Sequence, residues 1–375
     1  MKICFIGLEN LPVLAREYNS HVIGGEQVQQ TLLARALTQR GHTVSMVVGD
    51  YGQADGASWD GVKTFKAFHP AAGLPVLRFI HPRWTGMWSA MKKANADIYY
   101  NSTASMHAGQ VALFAKFHGK QAVHRIAHDM GCDPKTNPIK YWRDRKLYEY
   151  GLRHSGSVLA QTEWQKDALL KNYAVHSKIA YMLVDAAGRV PPYAERGLPV
   201  LWVNNLRPFK RPDLMLELAA SLPEYEIHMI GGPVAGHGEL FAKSKQQAEH
   251  LPHLKFLGNV PYHDVNDSYQ NAKVFVNTSD TEGFPNSYLQ AWVRGTPVVS
   301  FFDPDGLIAK EGLGFTVKTL PEMLEAVKLL LNDAVAWQII SERCLTYMAR
   351  EYNDDKILAP YLAEFNRLSA LAARA

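Results

Sequence analysis

Lys273-Val-Phe-Val-Asn277, Glu282-Gly-Phe-Pro-Asn-Ser-Tyr-Leu-Gln290 and Gly295-Thr-Pro-Val-Val-Ser300 follow one another within 28 residues. The first run reads as a strand, and the last as a helix end, a turn and a second strand. Between them Gly-Phe-Pro-Asn is a turn that opens a helix, so Glu282 stands at the carboxyl end of a strand. Gln290 comes eight residues later, on a continuous helix two turns down and roughly on the same face. A helix N-terminus offers free N–H groups to an anion, and open α/β sheets gather ligands at the carboxyl ends of their strands. An acid beside a phosphate-holding helix end suits chemistry on a sugar nucleotide.

Strand and helix signatures alternate on both sides of this stretch, which predicts an α/β fold with parallel sheets covered by helices. In the first half, strands are expected at Ile3–Ile6, Thr43–Val48, Ile98–Tyr100, Ala122–Ile126, Val158–Ala160 and Ile179–Leu183. A helix over Glu26–Arg40 carries apolar Val28, Leu32, Leu33, Ala36 and Leu37 and ends at Gly41. A second cycle has strands at Val200–Val203, Glu226–Ile230, Lys255–Leu257, Val274–Asn277 and Val298–Phe301. Gly188 to Pro199, with Pro191-Pro192 and several charges, reads as a hinge. The expected domains are therefore 1–187 and 188–345, with a C-terminal helix, residues 346–375, packing back on the first.

At 375 residues two cores are the natural expectation, and 47% hydrophobic with 20% charged residues describes a globular enzyme. Cys4, Cys132 and Cys344 lie far apart without a C-x-x-C pair, which argues against a disulfide framework and for a reducing, cytoplasmic setting. The short apolar run after Met1 suits a buried first strand better than a signal peptide. No run approaches the length of a membrane span. The net charge of +4 is uneven: residues 1–187 hold 22 Lys and Arg against 14 Asp and Glu, a surplus of +8, and the remainder 18 against 22, or −4. The basic half either attracts an anionic acceptor or an acidic membrane surface at the inner face, or is solvated charge. Its scattered cations and the lack of a recognition module disfavour nucleic acid.

Four other segments offer chemistry. Gly24-Gly25-Glu26 opens a long helix, where glycines let backbone approach a phosphate, although an ordinary glycine loop has the same pattern and G-x-G-x-x-G is missing. Asn204-Asn-Leu-Arg-Pro-Phe-Lys-Arg-Pro-Asp213 puts cations at Arg207, Lys210 and Arg211 just after a strand. Arg207 and Lys210 are candidates to stabilise a departing diphosphate without a metal, and Arg211 reads as surface. Gly231-Gly232-Pro233 either borders a nucleotide or is a plain strand-to-helix turn. His124 and His128 share a strand face but sit about 13 Å apart, too far for one metal ion. His128, at the strand end, can meet a donor sugar or be structural. Asp303-Pro-Asp305 matches D-x-D, but Pro-Asp-Gly is a turn signal, so no metal site is expected.

Taken in order, the Gly-Gly-Glu loop, Ala36–Val44, Gln161-Thr-Glu-Trp-Gln165, Leu206–Asp213, Phe256-Leu-Gly-Asn-Val260, Glu282–Gln290 and Gly295–Val299 resemble the retaining glycosyltransferases of the GT-B fold. That family (family four) includes sucrose synthases and phosphatidylinositol mannosyltransferases. The resemblance covers nearly the whole chain and implies two Rossmann-like domains with parallel sheets facing across a cleft. It implies a UDP- or GDP-sugar donor, no metal or other cofactor, and a saccharide or lipid-linked acceptor in polysaccharide or other glycoconjugate biosynthesis. Glu282 then matches the first acid of the E-x7-E motif, and Gly283, Phe284, Pro285 and Asn286 the backbone that meets the donor. Lys210 matches the diphosphate-binding lysine, His128 the first-domain histidine near the donor sugar, and Gly24 and Gly25 the loop facing the phosphates. Gly231, Gly232 and Val260 would border the nucleotide. Two positions depart from the pattern. Gln290 replaces the second acid, where an amide still hydrogen-bonds ribose hydroxyls. Asn205 stands where the family has an arginine, so Arg207 is expected to take the phosphate role. The rival readings are a nucleotide-sugar 2-epimerase and a catalytically silent sugar-nucleotide-binding subunit.

Overall fold

Apolar runs with no polar face, such as Ile3–Phe5, Val200–Trp202 and Val274–Val276, are the centres of two sheets and are wholly buried. Strands covered by helices on both faces lack polar alternation for this reason. In the computed structural model, which describes residues 1–18, 23–74, 77–185 and 188–372, the chain divides into two units. One is Met1–Leu183 with Asp354–Ala375, and the other is Val184–Asn353.

The first unit has strands β1 (Lys2–Ile6), β2 (Thr43–Val48), β3 (Ser58–Trp59), β4 (Val62–Lys66), β5 (Ile98–Ser102), β6 (Gln121–Arg125), β7 (Ser157–Ala160) and β8 (Lys178–Ile179). Their order is β3-β4-β2-β1-β5-β6-β7-β8, parallel throughout except for the β3–β4 pair. The second has β9 (Leu198–Val203), β10 (Ile227–Ile230), β11 (Leu254–Gly258), β12 (Ala272–Asn277), β13 (Val298–Ser300) and β14 (Gly314–Thr316). Their order is β11-β10-β9-β12-β13-β14, all parallel. Each sheet is thus doubly wound, reversing direction between β1 and β5 and between β9 and β12. The crevice at such a reversal is where open α/β sheets place ligands.

The expected α/β architecture holds, with differences at the margins. β3, β4 and β14 were not anticipated: β4 lies towards the sheet edge, where Val-Lys-Thr-Phe-Lys alternates and lacks an apolar run. β8 spans only Lys178–Ile179, not Ile179–Leu183. The long first helix runs Gly25–Gln39, with Gly41 at φ +79° accepting the chain reversal. The division of the chain falls before Val184, and the polar stretch 188–199 lies inside the second unit. Arg196 anchors it there, 3% exposed, donating to the carbonyls of Pro191 (3.1 Å), Ala272 (2.7 Å) and Arg294 (2.5 Å) and to Thr296 Oγ1 (2.7 Å). The return to the first unit starts at Asp354, not 346, because Ala334–Glu351 is one helix capped by Asp333 and held by Trp337 Nε1 on the Lys273 carbonyl, 2.7 Å. From Asp354 the last helix packs on the first unit, pairing Glu364 with Lys178 and Tyr361 OH with the Tyr181 carbonyl, 2.9 Å.

Candidate active site

The two loops leaving the second sheet's reversal point are Asn204–Arg211 after β9 and Thr278–Pro285 after β12. They are stitched together by Thr278 Oγ1 donating to the Lys210 carbonyl (2.8 Å) and Asp280 N–H donating to the Phe209 carbonyl (2.8 Å). Lys210 Nζ reaches both oxygens of Glu282, at 2.5 and 2.6 Å. Glu282 is 5% exposed, so its carboxylate is held almost dry beside the Lys210 ammonium. Asn277 sets the carboxylate's orientation: its Nδ2 donates to Glu282 Oε1 (3.4 Å) and Tyr288 OH (3.1 Å), while its Oδ1 accepts from Ser279 N–H (3.0 Å). Arg207 is exposed on the same β9 turn. Arg211 pairs with Asp213 (2.8 Å) and Asp280 (3.3 Å), the surface role expected of it.

One expectation changes. The helix begins at Asn286 and is only seven residues long, so Glu282 lies four residues before it and shares no helical face with Gln290. The backbone from Thr278 to Pro285 is a loop, and a two-turn face cannot run through it. Gln290 instead donates from Nε2 to Asn266 Oδ1 (3.3 Å) on the helix Tyr262–Asn271. Gly283, Phe284 and Pro285 are buried in the loop and Asn286 is half-buried. Gly231 is needed where it stands: a Cβ there would lie 1.8 Å from the Asn204 carbonyl oxygen. Its partner Gly232 accepts from Leu206 N–H at 3.1 Å, so the pair seats the loop that carries Lys210. Val260 is half-exposed beyond β11. Asp303 accepts from Ile308 N–H (2.7 Å), Ala309 N–H (3.2 Å) and Thr316 Oγ1 (2.8 Å), as a turn residue does.

The first sheet's reversal point holds a second polar cluster. Gly24 caps the helix that starts at Gly25, and Glu26 follows in its first turn. Gln30 donates to Glu26 Oε1, and Asn10 Nδ2 donates to Gln30 Oε1 at 3.3 Å. Burial pushes the Glu26 carboxyl up to about 7, helped by Glu9 and opposed by Gln30, Arg125 and Thr103. Thr103, which leaves β5, is β-branched yet has φ of +76°, a strained backbone of the kind that collects at ligand sites. Arg125 is buried, as are Asn10 and Ser102. His128 follows β6 and caps the next turn, its Nδ1 accepting from Met130 N–H at 3.2 Å. The neutral ring therefore carries its proton on Nε2, as a donor. His124 is different: fully buried beside Asn101, its pKa is lowered to about 3 by burial and it stays neutral. The sequence reading missed Asn277, Thr103 and Arg125 because each signals only through its position at a strand end. Glu26 was visible in Gly-Gly-Glu but carried no assigned role.

A Glu26 carboxyl near 7 binds a proton that the unfolded chain, near 4.5, has released. It therefore favours folding least above pH 7, and stability falls as pH rises through that window. Glu26→Gln is expected to raise the melting temperature at pH 8 and change it little at pH 5, which thermal unfolding at the two pH values reads directly. An equal shift at both would remove the titration as its cause.

The chain matches the family described as Glycosyl transferases group 1 over residues 192–337 and the Glycosyl transferase 4-like domain over residues 24–185. An O-antigen biosynthesis glycosyltransferase of Escherichia coli is 32% identical over 102 residues, 27% of either chain. A D-inositol 3-phosphate glycosyltransferase of Geodermatophilus obscurus is 32% identical over 126 residues, 31% of this chain and 28% of that one. These matches span between a quarter and a third of each relative's length. Among solved structures, sucrose-phosphate synthase of Thermosynechococcus elongatus superposes with a TM-score of 0.76 at 16% identity, covering 98% of this chain and 99% of that one. Anabaena HepE in complex with UDP and glucose gives 0.73 at 14% identity, covering 98% and 100%.

Proposed function

Because the chain belongs to the group 1 glycosyltransferases of the GT-B fold, we propose that it moves a sugar from a nucleotide-sugar donor to an acceptor hydroxyl with retention of configuration and without a metal ion. The observation that carries this is the Lys210–Glu282 pair, held dry at the reversal point of the second sheet. Arg207 and Lys210 supply the positive charge that a departing diphosphate needs, and Glu282 accepts hydrogen bonds from the sugar's hydroxyls. The bond from the anomeric carbon to the diphosphate oxygen breaks as the acceptor oxygen bonds the same face. The acceptor's proton passes to the diphosphate oxygen, so no carboxylate nucleophile is called on. Gln290 is assigned to the ribose, His128 to a sugar hydroxyl through its Nε2 proton, and Gly24, Gly25, Gly231, Gly232 and Val260 to the donor's surroundings.

UDP in the HepE complex supports a UDP- or GDP-sugar donor. The O-antigen relative supports a saccharide or lipid-linked acceptor in glycoconjugate biosynthesis. Three buried free cysteines suit a cytoplasmic setting. Thermal shift with a panel of nucleotide sugars, followed by product analysis in EDTA, tests the whole reading. A true donor at 100 times its Kd stabilises the folded state by about 2.7 kcal/mol. The expected product is an acceptor glycoside with the donor's anomeric configuration. Free epimerised sugar, or no transfer by a donor that binds, would overturn it.

A further inference from the structure

Residues 61–96 contain six lysines and arginines and no acid. The first unit exposes large apolar side chains in the middle of this stretch and at a later helix start: Leu77 is 58% exposed, Ile80 60% and Trp142 77%. Leu74 and Tyr141 are exposed beside them. These side chains form one neighbourhood. The Arg143 guanidinium lies 3.4 Å from the centre of the Phe79 ring, which holds the turn Leu77–Phe79 against the start of the helix Trp142–His154. The aromatic contacts continue inward from Phe79 to Trp84 (5.9 Å) and from Trp84 to Trp88 (6.3 Å), so the exposed residues rest on a fixed base.

Cations outnumber acids around them. Arg78, Lys140, Arg143 and Lys146 are exposed there. The acids on the same helix, Asp144 and Glu149, are only 16% and 20% exposed and are paired with Arg143 and Lys146. Soluble proteins seldom leave a contiguous apolar patch open to water, and an apolar patch with Trp and Tyr inside a basic rim matches a bilayer interface with anionic headgroups. No helix among the described residues is long and apolar enough to cross a membrane.

We propose that the surface formed by Leu74, Leu77, Ile80, Tyr141 and Trp142, ringed by Arg78, Lys140, Arg143 and Lys146, docks the protein on an anionic lipid bilayer. The apolar side chains enter the headgroup region while the cations meet lipid phosphates. This goes beyond the proposed activity and does not depend on it, since none of these residues belongs to the candidate active site.

The test is co-sedimentation of the full chain with phosphatidylcholine vesicles and with phosphatidylcholine–phosphatidylglycerol vesicles, at low and high salt. Binding is expected to the anionic vesicles only, weakening as salt rises. Lys140→Glu should lower the partition coefficient by more than the roughly fivefold due to losing one cation near the surface. L77S and W142S should weaken binding further. Quenching of tryptophan emission by brominated lipid should largely disappear in W142F. Glycosyl transfer to a soluble acceptor should not change in any of these variants. The proposal is overturned by no binding at low salt, by equal binding to neutral vesicles, or by L77S and W142S binding like the wild type. It is also overturned if the patch instead mediates self-association, seen as a concentration-dependent dimer that L77S and W142S abolish.

Discussion

Lys210→Ala is expected to lower the turnover of sugar transfer by roughly 10²–10³-fold, the scale of losing one donor to a charge that develops in the transition state. Folding must be separated from chemistry here, because the variant also strands Glu282. A carboxylate 5% exposed keeps its desolvation cost after losing the cation that meets both of its oxygens. Breaking a buried pair this way costs on the order of 3 kcal/mol. The double variant Lys210→Ala/Glu282→Gln removes the uncompensated charge, so stability should largely return, while turnover stays low because both altered groups are assigned to the donor. Turnover near wild type in Lys210→Ala would remove the lysine from the mechanism. Recovery of activity in the double variant would show that the loss came from folding alone.

Arg196→Ala is expected to destabilise the second unit by about 3 kcal/mol or more. Three buried carbonyls, those of Pro191, Ala272 and Arg294, lose their guanidinium donor, at about 1 kcal/mol or more each. The ring of Trp337, 4.8 Å from the guanidinium carbon, loses its cation as well. Burial lowers the Arg196 pKa to about 10, so it remains charged at neutral pH, solvated by carbonyls in place of water. Urea unfolding followed by tryptophan emission reads the shift in midpoint. An unchanged midpoint would return stretch 188–199 to the solvated linker its composition suggests.

That stretch shows what composition misses. Two prolines and several charges look like a hinge, yet one buried arginine ties them into the second sheet. The partners of Arg196 lie at 191, 272, 294 and 296, and no local pattern announces a contact across a hundred residues. Strands at or near the sheet edges were missed for the opposite reason. β4 and β14 gain much of their order from a neighbour already in place, so their own residues carry a weak signal. The glycines were legible as close-approach positions, but only the backbone showed that Gly231 meets the Asn204 carbonyl.

The sequence by itself determined the α/β class, the central strands, and the placing of Glu282 and Lys210 at the carboxyl ends of two of them. Apolar runs, glycine punctuation and strand-end polar residues are local properties, and local patterns report them. Only the tertiary structure decided that those two ends are neighbours. Glu282 and Lys210 are 72 residues apart and meet because β12 pairs with β9 at the point where the winding reverses. Strand order is set by burial summed over the whole sheet, so which ends share a crevice is written in no single segment. The same long-range packing broke the predicted helical face between Glu282 and Gln290 and gathered Glu26, Thr103 and Arg125 at the other sheet's reversal.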